Sequence, residues 1–71
     1  MPQTATAIRL NGQPMDVPEG TSIDQLLAMT QIRTKLVAVE INLEIVPRES
    51  HGQRILRAGD EVEVVTLVGG G

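Results

Sequence analysis

Apolar and polar positions change period repeatedly along the chain, and each change marks an element. In "ATAIRLNGQPMDV", Ile8 and Leu10 alternate with Ala7 and Arg9, the two-residue period of a half-buried strand. Asn11-Gly12 supplies the two positive-φ residues of a tight type I′ turn, and Met15 and Val17 carry the return strand. Pro18-Glu19-Gly20 ends this hairpin. "TSIDQLLAMT" switches to helical spacing: Ile23, Leu26, Leu27 and Thr30 fall on one stripe at i, i+3, i+4 and i+7. Thr21 is the expected N-cap. Asp24, three residues on, forms a variant of the capping box and lies near the positive end of the helix dipole. The helix should end between Thr30 and Arg33.

Alternation returns in "LVAVEI", with Val37, Val39 and Ile41 on one face and Leu36, Ala38 and Glu40 on the other. Asn42 begins a turn, and "EIVP" gives a short edge strand. Pro47 opens an irregular stretch, "PRESHG", with one turn of helix that has proline at its first position. Ile55 and Leu56 anchor the polar segment that follows, and Ala58-Gly59-Asp60 is a turn. The last strand is "EVEVVTLV". Its Val62, Val64, Thr66 and Val68 should face the helix, and its Glu61, Glu63, Val65 and Leu67 should face out.

Strand, strand, helix, strand, short strand, strand is the element order of an α+β fold. A mixed sheet with one main helix packed across one face satisfies it. This is the ubiquitin-like β-grasp arrangement, with the first and last strands parallel at the centre. The central place suits "EVEVVTLV", the most β-branched segment of the chain. Another α+β sandwich with the same order is equally compatible with the periodicity. On this reading residues 1–68 form the folded domain, and residues 69–71 a flexible C-terminal glycine tail.

Composition narrows the chemistry. The 71 residues include no Cys and one histidine, His51, so disulfides are unavailable and a zinc site of the usual N/S ligands is not expected. A net charge of −3 and the absence of Phe, Tyr and Trp argue against nucleic acid, which needs cationic grooves and stacking rings. No charged-then-apolar leader opens the sequence, and its apolar runs are too short to span a bilayer, so a cytoplasmic protein without a membrane partner is expected.

The stretch "VVTLVGGG" carries the functional expectation. Three glycines after a strand form a filament that reaches about 10 Å beyond the fold when extended. With no Cβ it can enter a channel that excludes every other residue, and it presents the α-carboxylate of Gly71. A frayed terminus or a linker remnant is the plain alternative. Ordering three glycines costs on the order of 3–6 kcal/mol, so the folded body must dock first. Val65, Leu67 and Val68, beside the tail, are the candidate docking face; the alternative is a loosely covered sheet edge. Glu40, Glu44, Glu49, Glu61 and Glu63 either steer association with basic partners or form a solvated face. His51, with no nucleophile beside it, reads as a locally hydrogen-bonded loop residue and not as a base. Arg48-Glu49 reads as a turn with a local ion pair, and Met15 and Met29 as core or margin fillers.

Three pieces carry a family resemblance: Val46-Pro47-Arg48-Glu49 within "NLEIVPRE", the turn Gly59-Asp60, and the ending Val68-Gly69-Gly70-Gly71. From Asn11-Gly12 to Gly71 the chain resembles the ThiS family, small sulfur carriers of thiazole formation in thiamin biosynthesis. A terminal Gly-Gly is shared with molybdopterin-synthase small subunits and ubiquitin-like protein modifiers, which stand as alternatives. The resemblance implies a cycle in three stages. An E1-like adenylyltransferase uses ATP and magnesium to adenylate the carboxylate of Gly71. Sulfur from a cysteine-desulfurase persulfide then replaces AMP and leaves a thiocarboxylate. Thiazole synthase takes that sulfur. Gly69 and Gly70 would thread into the partner sites, and the carrier would bind no cofactor and have no active site of its own. The residues agree with this chemistry, because a chain without Cys cannot intercept its own acyl-adenylate.

Overall fold

The computed structural model describes residues 4–32 and 37–66. Two hairpins flank one strand. β1 (Ala5–Leu10) and β2 (Gln13–Pro18) form the first hairpin, and β3 (Val37–Ile41) and β4 (Glu44–Val46) the second. The last strand, β5 (Glu61–Thr66), lies between them in a sheet of order β2-β1-β5-β3-β4, parallel to β1 and antiparallel to β3. The helix α1 (Ile23–Met29) covers one face. This is the expected β-grasp, with the most β-branched segment at its centre.

The core follows the predicted periods. Ile8 and Val17 from the first hairpin, Val37, Val39 and Ile41 from β3, and Val62 and Val64 from β5 are buried with the helix stripe Ile23, Leu26 and Leu27. Each such side chain contributes roughly 1.5–3 kcal/mol when removed from water. Leu56 joins them, but Ile55 is 41% exposed, so only one of the two expected anchors is an anchor. Ile55 instead bridges to Ser22 as an isolated β-pair. Met15 packs against the core margin as expected, whereas Met29 is 49% exposed on the helix's outer side.

The helix start is one residue later than the expected cap. Ser22 is the N-cap: its Oγ accepts from the Gln25 amide at 3.2 Å, and Gln25 Oε1 accepts from the Ser22 amide at 3.0 Å. Gln25 therefore completes a full capping box, and the Thr21/Asp24 variant does not form. Thr21 is buried, and its hydroxyl donates to the Pro18 carbonyl at 2.6 Å, which ties the helix entry to the end of β2. Asp24 stays in the first turn. Thr30 is the C-cap, and its hydroxyl donates back to the carbonyls of Leu26 and Leu27 at 3.1 Å, so it closes the helix and does not extend the apolar stripe. Arg33 and Leu36 lie outside the described residues.

Both hairpin tips reach into β5. Asn11 (φ 50°) and Gly12 (φ 82°) make the expected turn, and Asn42 (φ 53°) and Leu43 (φ 72°) make a second one with the same left-handed pair. The Asn11 amide donates to the Val62 carbonyl, and its Oδ1 accepts from the Val64 amide, both at 2.8 Å. On the other side the Asn42 amide donates to the Glu61 carbonyl at 2.9 Å, and its Oδ1 accepts from the Glu61 amide at 3.0 Å. Asn42 Nδ2 donates to the buried Asp60 at 3.1 Å. Asp60 also accepts from the Arg57 amide at 2.9 Å and pairs with Arg54 at 3.3 Å. A carboxylate with three donors is well satisfied, and it fixes where β5 begins.

The segment after β4 is a 3₁₀ turn, Arg48–Ser50, with Pro47 preceding it as the cap and not as its first residue. His51 is locally hydrogen-bonded as expected, with Nε2 3.0 Å from the Val46 carbonyl. A carbonyl only accepts, so Nε2 carries the proton in this contact. His51 is also 1% exposed, a depth that the loop reading did not anticipate. The expected Arg48–Glu49 ion pair does not form: both residues are exposed, and the ion pair among the described residues is Arg54–Asp60. No helix among them is long and apolar enough to cross a membrane.

The facing of helix and strand can be tested by substitution. Leu26→Ala should cost about 2–5 kcal/mol, while Met29→Ala should stay within about 0.5 kcal/mol. Val64→Glu should abolish folding, whereas Val65→Glu should melt within a few degrees of the parent. Urea and thermal denaturation read all four. A severe loss in Val65→Glu would put the strand out of register by one residue.

Candidate functional site at the end of the central strand

β5 alternates as its sequence predicts. Val62 and Val64 point into the core, and Glu61, Glu63 and Val65 point to the face that the helix leaves open. Val65 is 53% exposed, as its place in the candidate docking face requires. Thr66 keeps the inward phase, opposite Val37, but is exposed at the end of the described strand. The other residues of the predicted site, Leu67, Val68, Gly69, Gly70 and Gly71, lie outside the described residues.

The register assembles a surface around Val65. Its partner across the β5–β3 pair is Ala38, a small residue that leaves Val65 standing free. Two pairs back, on the same face, Glu63 lies directly opposite Glu40, and Glu40 lies opposite Ile45 of β4. Like charges directly opposed on a sheet destabilise it. Arg9, the β1 neighbour of Glu61, is turned away: its guanidinium donates to the Gly12 carbonyl at 2.8 Å. The open face is therefore apolar toward the end of β5 and acidic behind it. A basic partner surface with an apolar rim complements both halves.

Two exposed apolar residues of the second hairpin escaped the sequence reading. Ile45 is 73% exposed, and Leu43 is 88% exposed at the tip of the β3–β4 turn. The signal for Ile45 was present, since alternation in "EIV" puts it opposite in facing to Glu44 and Val46. Leu43 follows the asparagine of a two-residue turn, a position where a side chain can only project outward. A depression lined by Asn42, Leu43, Gly59, Glu61 and Glu63 separates this tip from β5. Among the described residues no three metal-ligating side chains converge.

Comparison with known proteins agrees with this geometry. The family model described as the ThiS family matches residues 8–71. The chain is 38% identical over 65 residues to the sulfur carrier protein ThiS of Bacillus subtilis, covering 90% of this chain and 98% of that protein. It is 37% identical over 62 residues to a thiazole synthase of Paramagnetospirillum magneticum, where the match covers 87% of this chain but only 19% of the synthase. The crystal structure of a thiamine biosynthesis protein (ThiS) from Geobacter metallireducens superposes with a TM-score of 0.81 at 30% identity, covering 93% of this chain and all of that one (100%). The family model runs from β1 to the glycines, and the fold agrees over the described residues: the chain belongs to the ThiS family.

Proposed function

We propose that this chain carries sulfur as a thiocarboxylate on Gly71 and delivers it to thiazole synthase in thiamin biosynthesis. The observation that supports this most is the family match, which runs on past β5 through the glycines to Gly71. The carboxylate of Gly71 is unreactive until an oxygen becomes a leaving group. An E1-like adenylyltransferase supplies that activation from ATP, with magnesium, and forms an acyl-adenylate. The terminal sulfur of a persulfide, generated by a cysteine desulfurase, attacks the acyl carbon and expels AMP. Cleavage of the resulting S–S bond by a thiol leaves the thiocarboxylate.

In this cycle the chain is a co-substrate. It binds no cofactor and contributes no catalytic group of its own. The body, residues 1–68, is recognised, and the tail, residues 69–71, is consumed in place. Val65, Leu67 and Val68 meet the partner first, and Gly69 and Gly70 pass through a channel that a Cβ would block. The carboxylates of the open face, Glu40, Glu61 and Glu63, guide the approach of a basic surface. The cycle runs in a compartment that supplies ATP, for which the cytoplasm is our reading.

Intact mass after incubation with the adenylyltransferase, ATP, magnesium and a persulfide donor should show one oxygen replaced by sulfur. Gly70→Ala should leave the melting temperature unchanged and slow loading by about tenfold or more, the effect of ~1.4 kcal/mol in the barrier. Deleting Gly71 keeps a glycine carboxylate but withdraws it by about 3.5 Å, beyond contact distance, and loading should be lost. Wild-type loading of both variants would reduce the glycines to an ordinary terminus. Discharge of the loaded carrier by a molybdopterin-type acceptor, and not by thiazole synthase, would move the protein to that pathway.

A further inference from the structure

The central strand outruns one of its neighbours. β1 pairs with β5 only at Arg9↔Glu61 and Leu10↔Val62 and then turns away at Asn11. On the other side β3 stays paired through Val37↔Thr66. Successive residues of a strand aim their backbone groups to alternate sides. The Val62 carbonyl and the Val64 amide, which meet Asn11, fix the even residues of β5 toward β1. The Glu61 amide and carbonyl, which meet Asn42, fix the odd residues toward β3. The Val64 carbonyl and the Thr66 amide and carbonyl thus point toward the β1 side, past the place where β1 has ended. The Asn11 side chain, bonded to the Val64 amide, is the last group of the first hairpin to reach β5. Beyond it, at the centre of the sheet, is a short edge of main chain with which no other strand among the described residues pairs.

We infer that this edge accepts an extended segment of thiazole synthase, which adds to β5 as a strand beside Val64 and Thr66. The inference rests on the sulfur-carrier reading above. Strand addition suits the task, because main-chain pairing holds an extended chain straight at the point where it must enter another protein. The synthase is the favoured occupant because the Paramagnetospirillum magneticum synthase contains a segment similar to this chain within its own length. There a segment similar to this chain and the rest of a thiazole synthase share one polypeptide. The exposed Val65 side chain lies on the open face of the same strand, so face and edge are contacted by one partner.

Two measurements test this with the full chain and the thiazole synthase of the same organism. Hydrogen exchange of the Thr66 amide should slow by about tenfold or more on complex formation, the scale of one buried hydrogen bond. Thr66→Pro deletes that amide hydrogen but leaves the β3-facing groups of Glu63 and Val65 in place, and proline is tolerated where a strand's N–H has no partner. Thr66→Pro should melt near the parent and bind the synthase about tenfold more weakly or worse, while Thr66→Val, which keeps the amide, should bind normally. Unchanged Thr66 exchange in a formed complex, or full affinity in a folded Thr66→Pro, overturns the pairing. Protection by the adenylyltransferase alone also overturns it, by assigning the edge to that enzyme. If Thr66→Pro does not fold, the exchange measurement on the unmodified chain decides. Thiocarboxylate formation in the absence of synthase is scored separately. Loading with no Thr66 protection sinks the strand addition alone, and absence of both loading and complex sinks the carrier reading with it.

Discussion

Everything in this fold depends on holding the C-terminal strand at the centre of the sheet. A terminal strand is ordinarily the segment most prone to fray. Here β5 is bounded by a parallel neighbour, an antiparallel neighbour and two asparagines whose side chains add one hydrogen bond each where the neighbours turn away. Asp60, buried with three donors, sets the point where the strand starts. The helix then packs on a surface that includes Val62, paired on both sides, and Val64, held by β3 and by the Asn11 side chain.

Two costs that the protein tolerates lie on the open face and the second hairpin. Leu43 holds a left-handed conformation that costs an L-residue roughly 1–2 kcal/mol. The Glu40–Glu63 pair opposes like charges, at roughly 0.2–1 kcal/mol. Neither improves the core. Leu43 adds apolar character beside the start of β5, and the Glu40–Glu63 pair adds acidic character to the middle of its open face.

Much of this was legible in the sequence, and the rest failed for identifiable reasons. Asn11-Gly12 and the two-residue alternation of β1, β3 and β5 are local signals, and each element formed where they placed it. The N-cap moved from Thr21 to Ser22 because Gln25, not Asp24, has the reach to return a hydrogen bond to the cap amide. Ile55 and Met29 are apolar without being core, because no face is specified by a single residue outside a period. The burial of His51 follows from Val46 and the 3₁₀ turn meeting in space, which no spacing encodes. The overhang of β5 beyond β1 is likewise non-local, since it depends on the register between strands separated by most of the chain. Of the site, the facing of Val65 was legible, whereas the contribution of Ile45 to the open face needed the pairing of β4 with β3.

Native-state hydrogen exchange across a denaturant series tests most directly whether the last strand is the fold's fixed point. The amides of Val62 and Glu63 should exchange only through global unfolding, with the free energy and denaturant slope of the whole protein. Exchange of β5 through local opening, at a lower free energy than β1 and β3, would contradict the account.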